Sequence, residues 1–177
     1  MNRMTKANTP AEQLSTVAKI LEGVAFSIKR EDWFKKGRWV VSIHPFPAKK
    51  PEAVTLHVSK RHWFNDDKLG IHVETSLALD PKKRKKSYVT VHISHHDVIP
   101  KTKFKRIAIS KPIVDLICDE VTTWDGYKFR AGKYGLQPFS LIVKGNAENF
   151  PDVVTKELGR ICRLVGPVID KVLSEKL

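Results

Sequence analysis

Histidine and glutamate recur at alternate positions of three short segments: His57 in AVTLHVS (53–59), His72 and Glu74 in GIHVETSLAL (70–79), and His92 in SYVTVHIS (87–94). Imidazole and carboxylate are the donors that hold zinc and related transition metals, and the same groups serve as general acid and base. Side chains of an extended chain alternate between two faces, so these four project from one side and Val54, Leu56, Val58, Val73, Val89 and Val91 from the other. Centring the turn between the last two segments on residue 83 sets Glu74 opposite His92 and His72 opposite Ser94, with facing Cβ atoms about 5 Å apart. The plainer alternative is a polar sheet face, since no ligand spacing such as H-E-x-x-H accompanies the four. A divalent metal belongs to the site reading alone; otherwise the sequence implies no cofactor. His95, His96 and Asp97 close the last segment. Adjacent strand residues point to opposite faces, so both histidines reach one ion only if the chain turns there.

A second chemistry is electrostatic. The net charge is +13, and it is unevenly placed: residues 29 to 111 hold 20 basic and 8 acidic side chains, residues 112 to 177 nine of each. The cations cluster at Lys35, Lys36 and Arg38; at Lys60 and Arg61; in PKKRKK (81–86), which supplies Lys82, Lys83, Arg84, Lys85 and Lys86; and at Lys103, Lys105 and Arg106. Gathered into one contiguous patch, they would contact phosphate backbones in a sequence-independent, salt-sensitive way. Aromatic residues interleave with them, and Trp63 is the expected stacking platform for an unpaired base. The string PKKRKK also resembles a monopartite nuclear-localisation signal.

The elements that must position these residues are legible from periodicity. Thr9, Pro10 and Glu12 form a capping box, and Leu14, Val17, Ala18 and Leu21 continue it as one apolar stripe, a helix over about 10–23. A β-rich run from Trp39 to His44 precedes the three alternating segments, and together they read as an antiparallel meander. Ser110 is placed to cap a helix running to Trp124. DGYKFRAGKYGLQP (125–138) reads as a loop or irregular hairpin, and FSLIVKG (139–145) as one more strand. From Asn149, Val154, Leu158, Ile161, Val165, Val168 and Val172 recur at helical spacing, with a kink expected at Gly166-Pro167.

With 41% apolar residues the chain is globular in composition, and it has no apolar run of membrane-spanning length. The polar start, without a signal-type apolar core, implies a cytoplasmic protein, nuclear if PKKRKK is read as an import signal. Cys118 and Cys162 have no metal-type spacing and read as buried free thiols. There is no phosphate loop, dinucleotide fingerprint or nucleophile elbow. The acidic pair and E-x-K of a metal-dependent nuclease core are incomplete: Asp66, Asp67 and Glu74 are present, but Ser76 stands where the lysine belongs.

The expected fold is therefore a single α+β domain over 1–177, an antiparallel four- to five-stranded sheet packed on one face by the N- and C-terminal helices. The leading functional expectation is a module that binds nucleic acid or another polyanion through cationic turns, without a membrane. The alternative is a small metal-dependent or acid/base enzyme built on His57, His72, Glu74 and His92. A third reading is a homodimer paired through the C-terminal helix.

Overall fold

The computed structural model describes residues 9–130 and 132–176; the polar start, residues 1 to 8, lies outside these. Its elements in chain order are α1 (Pro10–Arg30), α2 (Asp32–Lys36), β1 (Trp39–Phe46), β2 (Ala53–Lys60), β3 (His72–Ala78), β4 (Ser87–His92), α3 (Arg106–Thr122), β5 (Tyr127–Phe129), β6 (Phe139–Val143) and α4 (Phe150–Lys176). One antiparallel sheet has the order β1-β2-β3-β4-β6-β5. The meander and the α+β class are as the sequence implies. The sixth strand is β5, three residues in the glycine-rich segment read as an irregular hairpin, paired to β6 from Tyr127↔Leu141 to Phe129↔Phe139.

Both terminal helices cover the aliphatic face. Thr9 caps α1, its hydroxyl accepting the Glu12 N–H while the Glu12 carboxylate accepts the Thr9 N–H at 2.7 Å. Val17, Leu21, Val24 and Ile28 of α1 and Leu158, Ile161, Val165 and Ile169 of α4 are buried with Val54, Leu56, Val58, Val73, Leu77, Val89 and Val91 of the sheet in one core. The helix α1 runs about two turns beyond the expected end, because Val24, Ala25 and Ile28 continue its apolar stripe into the core. Most of the apolar stripe of α4, on which a dimer through this helix was expected, is buried in the same core, with Leu164 and Val168 partly buried. No helix among the described residues is long and apolar enough to cross a membrane.

Three local expectations are corrected. Helix α3 begins at Arg106 and not at Ser110, whose buried hydroxyl donates instead to the Tyr134 carbonyl; Pro112 lies inside the helix. Cys162 is buried as expected, but Cys118 is only half-buried. The β3–β4 register puts His72 opposite His92 and Glu74 opposite Thr90. The connecting segment is not a symmetric hairpin: Pro81–Lys85 forms a 3-10 turn, with the Asp80 carboxylate accepting the Lys82 N–H at 2.9 Å. That moves the pairing by two residues, an even step that keeps every side chain on its expected face.

Candidate functional site

Strand pairing brings the histidines together on the sheet face that the helices leave uncovered. His57 faces Glu74 across β2–β3, and His72 faces His92 across β3–β4. Glu74 lies at the centre. Its Oε2 is 3.2 Å from His57 Nε2 and 3.4 Å from His72 Nε2, and its Oε1 is 3.1 Å from His92 Nε2. Ligands held 2.0–2.1 Å from a tetrahedral zinc ion stand about 3.4 Å from one another, and the three nitrogen-to-carboxylate separations are of that size.

The tautomer of His72 follows from its neighbours. Gly70 N–H donates to Asn65 Oδ1 at 3.1 Å, which fixes that atom as the amide oxygen. His72 Nδ1 lies 3.2 Å from the same oxygen and must therefore carry the ring proton. Burial, against the pull of Glu74, lowers the His72 pKa to about 3, so the ring is neutral and Nε2 holds a bare lone pair. This nitrogen is fully buried and has no hydrogen-bond partner, yet it faces a carboxylate oxygen. Two electron-rich atoms meeting without a proton between them is unfavourable unless a cation joins them.

The remaining groups share this electronic character. Burial also lowers the pKa of His57, more than Glu74 raises it, and lowers that of His44 to about 4. Burial alone would raise the Glu74 pKa, but contacts from His57 and His92 hold the carboxyl well below its ordinary value, so it is ionised. The rings of His57 and His72 stack with centroids 3.6 Å apart, an arrangement neutral imidazoles accept and two cations would not. The cluster thus offers one negative charge and several lone pairs at neutral pH, the state a metal requires of its ligands.

Two residues of the site escaped the strand pattern. The chain turns after β4, so His95 comes back over the sheet with Nε2 2.8 Å from His92 Nδ1, while His96 swings away to Asp67 at 2.7 Å. His72, His92 and His95 thereby form a second candidate ligand group beside His57, His72 and Glu74. Gln137 meets His92 Nε2 from the loop before β6, and no periodicity announces it. The only signal for His95 was the His-His pair at a strand exit.

His57, Glu74, His92 and His95 line a cleft of about 670 Å³, while His72 is fully buried behind its lining. Pro45, Phe46, Pro47 and Leu136 supply apolar walls, and Lys68 and Asp67 stand at its edge. A mostly apolar cleft with a few convergent polar groups is the form of a small-molecule or active site.

The cations do not form the single patch expected of them. Lys82, Lys83, Lys85 and Lys86 are exposed on the β3–β4 turn, but Arg84 folds back and donates to the Ala78 and Leu79 carbonyls at 2.8 Å. Lys35, Lys36, Arg38, Lys60 and Arg61 lie at the other end of the sheet, about 25 Å away along β2. Lys60 there pairs with Asp170 at 2.5 Å and Lys36 with Asp32 at 3.6 Å. Exposed Lys103 and Lys105 enter α3 beside Arg106, which pairs with Asp97 at 3.0 Å. Trp63 is no stacking platform: it is completely buried, its Nε1–H donates to Asp170 at 2.8 Å, and its ring packs edge-on against Trp39.

No family model matches this chain, and no curated protein or solved structure matches it.

Proposed function

We propose that this protein is a small metal-dependent enzyme whose divalent transition metal is held by His57, His72, His92 and Glu74, with His95 beside them. The observation that carries the reading is the buried Nε2 lone pair of His72 facing the ionised Glu74 carboxylate at 3.4 Å. A nitrogen-rich donor set with one carboxylate suits zinc and its first-row neighbours over magnesium or calcium. Such an ion at the base of a partly apolar cleft would act as a Lewis acid or lower the pKa of a bound water. Asn65 supports the site by fixing the His72 tautomer, the outer-shell role that carbonyl groups play for ligating histidines.

The test is the metal content of untagged protein purified without chelator. About one zinc, iron, cobalt, nickel or manganese ion per chain in wild type, lost in Glu74→Gln and His72→Ala, supports the reading. Metal-free wild type that also takes up no Zn²⁺ or Co²⁺ in titration overturns it.

One observation favours a second reading. Lys82, Lys83, Lys85 and Lys86 are exposed on one short turn and take part in no ion pair among the described residues. Such a turn suits a nucleic-acid backbone or an acidic import receptor, in the cytoplasm or nucleus. Heparin retention that survives their replacement by glutamine would remove it.

A further inference from the structure

A second cleft, of about 770 Å³, borders the first and is basic. Lys105, Arg106, Arg130 and Lys133 line it, and the one acid in its lining, Asp97, is held by Arg106. Of these cations Arg130 and Lys133 lie outside the charge-rich middle of the sequence and come to the cleft through the loop between β5 and β6. Aromatic rings stand among them. The Arg130 guanidinium is 5.6 Å from the centre of the Tyr88 ring, and Lys133 Nζ is 5.0 Å from that of Tyr134.

The two clefts meet along their rims. Gly135 lines the basic cleft and Leu136 the histidine cleft; Asp97 lines the former and His95 the latter. The first pair is consecutive and the second is separated by one residue, so one or two Cα steps of about 3.8 Å separate lining residues of the two clefts. They also open on one face of the sheet, because Tyr88, which Arg130 covers, projects from β4 on the same side as His92.

A ligand bridging them must present repeated negative charge to the basic side and a group for the metal on the other. Cations interleaved with rings are the recognition chemistry of unpaired nucleotides, where phosphates meet the charges and bases stack. Resting on the metal reading above, we infer that the two clefts form one path for a single-stranded nucleic acid. Its phosphates lie on Lys105, Arg130 and Lys133, and the next phosphodiester reaches the metal centre.

The experiment uses the full chain and a fluorescein-labelled twelve-residue oligothymidylate. Anisotropy is measured in EDTA, which makes strand binding independent of the metal. The triple variant Lys105→Ala, Arg130→Ala, Lys133→Ala should weaken binding at least about tenfold and reduce the salt slope of log K by about 2, because three phosphates of a single strand are no longer neutralised. Unchanged affinity and slope overturn the inference, as does loss confined to a variant of Lys82, Lys83, Lys85 and Lys86. Thymidine monophosphate competing as well as the strand does also overturns it, because it assigns the cleft to a free nucleotide. Protein loaded with Mn²⁺ should broaden one or two ³¹P resonances of the strand in wild type and not in the triple variant. Strand binding without that broadening, in protein that retains its Mn²⁺, shows two separate sites and overturns the path while leaving the metal reading intact. A wild type that binds no metal fails the earlier reading first and the joined path with it, although the anisotropy would still report a basic groove.

Discussion

At the residue scale the site depends on the placement of a single proton. Asn65 takes one N–H from Gly70 and one from His72, and this leaves the His72 Nε2 lone pair aimed at Glu74. Removing an outer-shell partner of a metal-bound histidine typically costs 10–100-fold in metal affinity. Asn65→Ala is therefore expected to weaken Zn²⁺ binding by about that factor, and Asn65→Asp, which keeps an acceptor oxygen, to restore most of it; isothermal titration with a competing chelator measures both. Glu74→Gln deletes the only anion of the cluster and should cost more than Asn65→Ala. If the three variants bind Zn²⁺ like wild type, the cluster is a packed polar face. His57, His72, Glu74 and His92 were legible in the sequence because period-two alternation alone assigns a face, and that assignment survives an even error in register. His95 and Gln137 were not, since both reach the site by turns whose direction depends on contacts distant in the chain.

At the element scale α4 is fixed to the sheet by two devices of different kinds. The first is steric. Gly166 lies against the Trp39 ring so closely that a Cβ would come within 2.7 Å of it. Gly166→Ala improves helix propensity by about 1 kcal/mol, but its Cβ would press on an indole already in edge-on contact with Trp33 and Trp63. Net destabilisation of about 1–2 kcal/mol is expected in urea unfolding. The second device is polar: Asp170 accepts from Lys60 at 2.5 Å and from Trp63 Nε1 at 2.8 Å, and lies 2.8 Å from His62 Nε2. Burial raises the Asp170 pKa, but these three partners together lower it below its ordinary value. A carboxylate depressed on folding binds its proton less readily in the native state than in the unfolded one. Its stabilisation is therefore present above the unfolded pKa near 4 and is lost as pH falls through the folded value. Asp170→Asn should flatten the acid limb of the stability profile, followed by urea midpoints between pH 2.5 and 6. Asp170→Ala, which strands the buried Trp63 N–H, should cost about 1–3 kcal/mol at neutral pH. These contacts also explain the misjudged tryptophan. Trp63 sits in a run of Lys, Arg and His that reads as surface, and only the return of α4, more than 100 positions later in sequence, supplies the acceptor that lets it be buried. The strands and the terminal helices, by contrast, declare themselves through local period and capping.

At the scale of the whole molecule, the sheet divides the labour of its two faces. Helices α1 and α4 press one face into an apolar core, and the other carries imidazoles, hydroxyls and a carboxylate with only loops above it. The strands that place the metal-type donors are thus the ones that build the core, β2, β3 and β4 in the middle of the sheet. Binding at the donors should then be coupled to global unfolding, because the ligand set exists only when all three strands are paired. For a ligand that binds the native state alone, stabilisation grows as RT ln(1 + [L]/Kd), about 2.7 kcal/mol at a hundredfold excess over Kd. In a chain of this length each kcal/mol moves Tm by about 2–4 °C. Wild-type protein stripped with EDTA and reloaded with Zn²⁺ at that excess should melt about 5–10 °C higher, and EDTA should reverse the gain. Glu74→Gln should show no such shift. The Lys82, Lys83, Lys85 and Lys86 variant, altered at a turn outside the donor set, should shift as wild type does. Calorimetry on these three proteins separates a centre held by the paired strands from a surface that merely collects zinc, since the latter would leave every melting curve where it was.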